Sequence, residues 1–232
     1  MIHKWLHRKN SQYCILFMSG WGCDYHPFLS IPSNEYDVLM CYDYNNTHIP
    51  SELEKLFGNY SRVYLVAWSL GVWSSNHLLY HWKDQFFKTL AINGTLHPIN
   101  DNMGIPPAIF QGTIDNFDLR GRDKFFMRMC GSRVLFQQFQ SNAPKRELTD
   151  QKEELISLQQ DIVSHPSHHN LFQRAVIGQE DRIFPPANMK QAWNTEAQVI
   201  TLEVPHFCFY HYKSWDSIVQ YPHNKSISYT AV

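Results

Sequence analysis

The 232-residue chain has no large charge of either sign. Lys and Arg number 20 against 21 Asp and Glu, a formal net charge of −1. No nucleic-acid or membrane partner is therefore expected on global electrostatics. No apolar run approaches the roughly 18 residues of a membrane span. The opening MIHKWLHRKNSQ lacks an apolar stretch of signal-peptide length. Both absences lead to the expectation of a soluble, cytoplasmic protein. A disulfide frame is missing as well. The five cysteines (Cys14, Cys23, Cys41, Cys130 and Cys208) are odd in number, scattered and free of any C-x-x-C pair, and read as reduced thiols. Phosphate-loop patterns do not occur. HPSHHN (165–170) is rich in histidine, but no carboxylate or Cys stands at ligand spacing, so no metal is expected there. Repeats and low-complexity segments are absent, and the polar tail after Pro222 reads as a disordered end.

What is present is a substantial apolar fraction, 44%, with 15% aromatics, enough for a full core and a ring-lined pocket. Short apolar strand candidates lie at 13–20, 37–44, 62–68, 88–94, 173–179 and 197–204. Most are β-branched or aromatic, and most are followed by Gly, Asp, Asn or Ser. Helix candidates at about 50–58, 71–83, 187–195 and 213–219 alternate with them. Such alternation predicts a mostly parallel central sheet with helices on both faces, whose ligands sit at the carboxyl ends of the strands. The rhythm breaks between 104 and 170, which opens with IPPAIF and carries helical stretches at 122–140 and 147–163. Residues 1–103 and 171–232 then form the core, and 104–170 is a helical insertion expected to act as a lid. A pair of peripheral helices is the plainer alternative.

The segment RVYLVAWSLGVWSSN (62–76) runs a buried strand into Ser69 and then into a helix. Ala67 and Gly71 are the small residues that a nucleophile elbow needs two places before and after its serine. The pentapeptide alone is equally compatible with a strand that ends at a serine N-cap. Chain order supports the elbow. A serine nucleophile needs a histidine base and an acid to orient it, and in a doubly wound hydrolase they follow as Ser, acid, His. Asp181 closely follows the strand at 173–179, and His206 closely follows the last strand. Asp43 is the competing acid and reads as a loop-organising carboxylate, while the strand at 88–94 ends on Asn93 and offers no acid. The oxyanion donors expected are the backbone N–H groups of Leu70, after the nucleophile, and Trp21, in the loop SGWG. The indole of Trp21 is also a candidate wall for an acyl pocket. In LRGRDKFFMRMCGSR (119–133), Arg120, Arg122, Lys124, Arg128 and Arg133 face a single Asp123. This is either a solvated amphipathic helix or a basic patch for an acidic protein or phosphate-bearing substrate.

SGWG, CYDY, VAWSLGVW, AINGT, GIPPAIFQGT, IGQEDRIFPPAN and PHF together resemble the BioG-type pimeloyl-[acyl-carrier protein] methyl ester esterases, over about residues 10–220. The resemblance implies an α/β-hydrolase fold with a helical lid insertion and hydrolysis of a methyl ester on pimeloyl-[acyl-carrier protein] in biotin synthesis. It implies Ser69 as nucleophile, Asp181 as acid, His206 as base, and the Trp21 and Leu70 amides as oxyanion donors. The acyl carrier protein is the implied partner, met by the basic cluster as a patch, and no cofactor is needed. Ala67 departs from the common first elbow glycine. Ser19 stands where many hydrolases have His, which removes a side chain and leaves the backbone donor. A thioesterase or small-molecule carboxylesterase with the same residues remains open, as does a pseudo-hydrolase that binds an acyl ligand or a partner.

Overall fold

The computed structural model describes residues 1–45 and 48–220, so the polar tail lies outside the described residues. Seven strands form one sheet: β1 (Ile2–His7), β2 (Tyr13–Met18), β3 (Tyr36–Tyr42), β4 (Arg62–Trp68), β5 (Phe86–Ile92), β6 (Arg174–Gly178) and β7 (Gln198–Leu202), in the order β1-β3-β2-β4-β5-β6-β7. All neighbours pair in parallel except β1, which runs antiparallel to β3. The predicted α/β sheet is thus present, with one addition. IHKWLH carries too many polar residues to read as a buried strand, because β1 is a half-exposed edge.

The central strands are covered on both faces. Every residue from Cys14 to Met18 is fully buried, as expected of parallel strands between layers. Phe17 packs against Phe28, Phe209 and Trp215 with ring centroids 4.9 to 5.2 Å apart, and the strand residues beside it point to the opposite face. Helices α1 (Ser51–Asn59) and α2 (Leu70–Leu79) flank β4 in sequence. Four helices then separate β5 from β6: α3 (Pro107–Asp115), α4 (Leu119–Cys130), α5 (Arg133–Gln140) and α6 (Leu148–Ser164). The remaining two, α7 (Pro186–Trp193) and α8 (Trp215–Val219), flank β7.

The structure departs from the reading at 104–170 in two places. The stretch 122–140 is two helices, because Gly131 takes φ 72° as a left-handed C-cap and Ser132 accepts the Leu135 N–H as the next N-cap. IPPAIF starts a helix of its own, with Pro107 in its first turn, where a missing N–H costs nothing.

Candidate active site

The sheet brings four loops to the carboxyl ends of its parallel strands: Trp21 follows β2, Ser69 ends β4, Asp181 follows β6 and His206 follows β7. Ser69 joins β4 directly to α2 at φ 58°, ψ −129°, a conformation rarely held by a residue with a Cβ. Its side chain does not cap α2. The hydroxyl lies 3.0 Å from His206 Nε2. The opposite ring nitrogen, Nδ1, lies 2.7 Å from Asp181 Oδ2. An ionised carboxylate only accepts, so Nδ1 carries the proton and donates to Asp181, and Nε2 is left to accept from the Ser69 hydroxyl. All three residues are buried, with His206 only 1% exposed.

Each member is held by its surroundings. The other oxygen of Asp181 accepts the backbone N–H groups of Ile183 and Phe184, at 2.7 and 2.9 Å, so the carboxylate points one way only. The Phe184 ring stacks on the imidazole, 6° from parallel. The carbonyl of His206 accepts from Trp68 Nε1 at 2.9 Å and from the Asn93 side-chain amide at 3.0 Å. Asn93 also donates to the Pro205 carbonyl and accepts the Gly178 N–H, tying the ends of β5 and β6 to the histidine loop. It was legible only as the absence of an acid at that strand end. Its actual work depends on three segments distant in sequence.

The Trp21 and Leu70 amides are given to no protein acceptor among the described residues. Gly71 lets α2 approach the loop that carries Trp21. A Cβ there would lie 2.6 Å from the Met18 carbonyl oxygen and nearer still to that of Ser19. A narrow cleft opens beside Ser69. Its core side is Trp21, Trp68, Leu70, Ile183 and His206. The other side comes from the insertion: Ile105, Ile109, Phe110, Thr113, Phe125, Arg128, Met129 and Leu155. The Trp21 indole does face the cleft, and it packs on Phe117 and Phe125 with centroids 4.9 Å away in each case.

The basic cluster does not act as one surface strip. Arg128 turns to the cleft and donates to the Arg182 carbonyl at 2.9 Å. Arg122 is half-buried, while Arg120, Lys124 and Arg133 are exposed. Among the described residues none of the five makes an ion pair, so their charge is not neutralised locally. Asp43 is not near His206 in any hydrogen bond. It pairs with Arg146 at 3.2 Å, beside Asp150 and Glu154. Burial pushes the Glu154 carboxyl up from its ordinary value, and Arg146 with the Tyr44 and Gly22 amides pulls the other way. No group of three or more His, Cys, Asp or Glu among the described residues is placed to hold a metal ion. No helix among them is long and apolar enough to cross a membrane.

Known proteins share this architecture. Malonyl-[acyl-carrier protein] O-methyltransferase of Bacteroides fragilis is 42% identical over 180 residues, which are 77% of this chain and 36% of that protein. The chain therefore spans about a third of that relative's length. The crystal structure of selenomethionine BioG from Haemophilus influenzae aligns with a TM-score of 0.85 at 30% identity, over 94% of this chain and 99% of that one. A carboxylesterase of Nitrososphaera gargenis aligns at 0.61 with 11% identity over 90% of this chain and 88% of that one, a likeness of fold alone. Residues 1–218 match the family Pimeloyl-ACP methyl esterase BioG. With the family match covering nearly the whole chain and an α/β-hydrolase sheet beneath it, this protein belongs to the BioG family.

Proposed function

We propose that the protein is a serine carboxylesterase that hydrolyses the methyl ester of pimeloyl-[acyl-carrier protein], releasing methanol and the free ω-carboxylate for biotin synthesis. The observation that carries this reading is the relay from Ser69 Oγ to His206 Nε2 (3.0 Å) and from His206 Nδ1 to Asp181 (2.7 Å) at the mouth of an apolar cleft. Membership of the BioG family supplies the substrate class. A relative named for O-methylation of a carrier-bound malonyl group agrees with ester chemistry on a carrier-bound chain.

In this reading His206 Nε2 takes the Ser69 proton as Oγ bonds to the ester carbonyl carbon. The carbonyl oxygen becomes an oxyanion received by the Trp21 and Leu70 N–H groups. The C–O bond to methoxide breaks, and His206 returns the proton, so methanol leaves. Water then repeats the sequence on the acyl-enzyme, giving the carboxylate and free Ser69. Asp181 holds the imidazole tautomer and stabilises the imidazolium. The apolar cleft receives the acyl chain. Burying its five methylenes at ~0.8 kcal/mol each contributes about 4 kcal/mol. The insertion 104–170 roofs that cleft as a lid, and the un-neutralised Arg120, Arg122, Lys124, Arg128 and Arg133 give it a basic side for an acidic carrier protein. The buried thiols, none in a disulfide among the described residues, fit a reducing compartment such as the cytoplasm.

The test is incubation with pimeloyl-[acyl-carrier protein] methyl ester beside Ser69→Ala, following loss of the methyl group by mass. Loss with the wild type alone is expected. Turnover of a p-nitrophenyl ester without demethylation would keep the hydrolase and remove the biotin assignment. Turnover of an acyl thioester in place of the methyl ester would make it a thioesterase. Inertness to all of them, with no labelling of Ser69 by a fluorophosphonate, would leave a pseudo-hydrolase.

A further inference from the structure

The loop that carries the Trp21 amide is fastened to the insertion by residues the reaction scheme does not use. The Glu154 carboxylate, on α6 and fully buried, accepts the Gly22 N–H at 3.0 Å through one oxygen and the Tyr44 N–H at 2.9 Å through the other. Gln151, one turn earlier and also fully buried, donates its side-chain amide to the Gly22 carbonyl at 2.6 Å. Its own backbone carbonyl accepts the Trp21 indole N–H at 2.6 Å. From the other side, the Tyr44 hydroxyl donates to the Ser19 carbonyl at 2.8 Å. Arg146 neutralises the buried carboxylate, reaching Glu154 at 2.6 Å, Asp150 at 2.7 Å and Asp43 at 3.2 Å.

We propose that Gln151, Glu154 and Arg146 form a clamp that presets the oxyanion hole: α6 holds both peptide groups of Gly22 and the Trp21 indole so that the Trp21 N–H faces the developing charge. The inference rests on the esterase reading of Ser69 and Trp21. Its logic is that of preorganisation. An N–H group stabilises an oxyanion well when it need not turn during the reaction. A loop with two glycines around Trp21, one of them at φ 74°, would otherwise sample several peptide orientations. Here the Gly22 N–H and carbonyl on one side of the Trp21 amide and the Ser19 carbonyl on the other are all taken, while the Trp21 N–H stays open to substrate. Arg146 is required because an unpaired carboxylate beside the hole would oppose the charge that the hole receives. The three are positioning residues, since none of them touches the reacting atoms. The C-terminal part of the insertion is thereby a fixed splint and not a moving flap.

The experiment measures kcat and KM for a p-nitrophenyl ester, and the inhibition constant of an alkylboronic acid whose tetrahedral Ser69 adduct places an oxygen in the hole. Wild type is compared with Gln151→Met, Glu154→Gln and, as a control on an exposed face of the same helix, Glu153→Ala. Gln151→Met is the milder change and guards against a misfolded Glu154→Gln. Expected is a fall in kcat of about 10- to 100-fold, smaller than loss of a whole oxyanion donor. KM should stay within about twofold, and boronate binding should weaken by the same factor as kcat. Glu153→Ala should match wild type. Wild-type kcat in folded Gln151→Met would overturn the clamp while leaving the esterase reading intact. So would a fall in folded fraction with kcat per folded molecule unchanged. A wild type inert to the ester and unlabelled at Ser69 would overturn both.

Discussion

Substituting Gly71 by Ala puts the elbow under a defined load. The added Cβ would lie 2.6 Å from the Met18 carbonyl oxygen, closer to that of Ser19, and 3.0 Å from the Met18 carbonyl carbon. Ordinary C···O contacts are about 3.3 Å or longer, so the overlap is roughly 0.7 Å against Met18 alone. Both obstacles are backbone atoms at the end of β2, and neither can swing aside as a side chain would. The start of α2 and the Trp21 loop must separate by a comparable amount. Ser69 and Leu70 lie on one side of that gap and Trp21 on the other, so the nucleophile and one oxyanion donor move away from the second donor. Misplacement near 1 Å costs up to about 100-fold in rate, and overpacking of this kind costs about 1–3 kcal/mol. Gly71→Ala should therefore lower kcat/KM about 100-fold on any ester the wild type turns over, and lower the urea unfolding free energy by ~1–3 kcal/mol. Gly112→Ala in α3 is the matched control. Its added Cβ meets nothing within 4 Å, and the gain in helix propensity should stabilise by ~0.5–1 kcal/mol without a change in rate. Wild-type activity and stability in Gly71→Ala would refute the close-approach account of the elbow.

Three further outcomes follow from the same geometry. Asp181→Asn keeps an acceptor for the Ile183 and Phe184 amides but no longer holds the Nδ1–H tautomer. Steady-state kinetics should show kcat reduced by about 10⁴-fold with the melting temperature little changed. Desolvation lowers the imidazoles of His77, His97 and His211 below their ordinary value of 6.5. The unfolded chain then takes up protons before the folded one does, so stability present above pH 6.5 is lost as pH falls through it. Thermal unfolding followed from about pH 7.5 to 5.5 should show a falling midpoint, and His77→Gln should flatten the slope. Burial raises the five thiols, Cys41 and Cys130 to about 12 and Cys14, Cys23 and Cys208 higher still. A thiol reagent such as Ellman's should find almost none in native protein and all five in denaturant. Rapid reaction of any one in the folded state would contradict its burial.

How much of this is readable before folding depends on how local the signal is. Six of the seven strands are apolar runs closed by small or turn-forming residues; five of them lie inside the sheet, and β7, the parallel edge, is largely exposed. Their carboxyl ends name Ser69, Asp181 and His206 by chain order alone, and the structure brings those three within hydrogen-bond distance. Both edges face solvent, but β7 keeps the β-branched run QVITL, whereas β1 escapes because IHKWLH mixes His and Lys among its apolar residues. The break at Gly131 is written locally as Gly followed by Ser, but its necessity is tertiary. A Cβ at Gly131 would meet Pro205, and the Met129 carbonyl there accepts the Phe207 N–H, next to His206.

Sequence by itself thus determined the sheet, the order of its strand ends and the residue types at those ends, since hydrophobic period and turn chemistry act over a few residues. Tertiary structure alone decided which polar groups are buried together. In LTDQKEELISLQQDIV the helical period sets Glu154, and not Glu153, on the stripe of Leu158 and Ile162, but it gives no sign of what a carboxylate there would bond to. Folding buries one and exposes the other. The buried carboxylate bonds to Gly22, 132 residues earlier in the chain. Arg128, although exposed, is set apart from its basic neighbours at the edge of the cleft. A buried polar group must find its partners wherever the packed chain puts them, and only the folded arrangement of distant segments specifies that place.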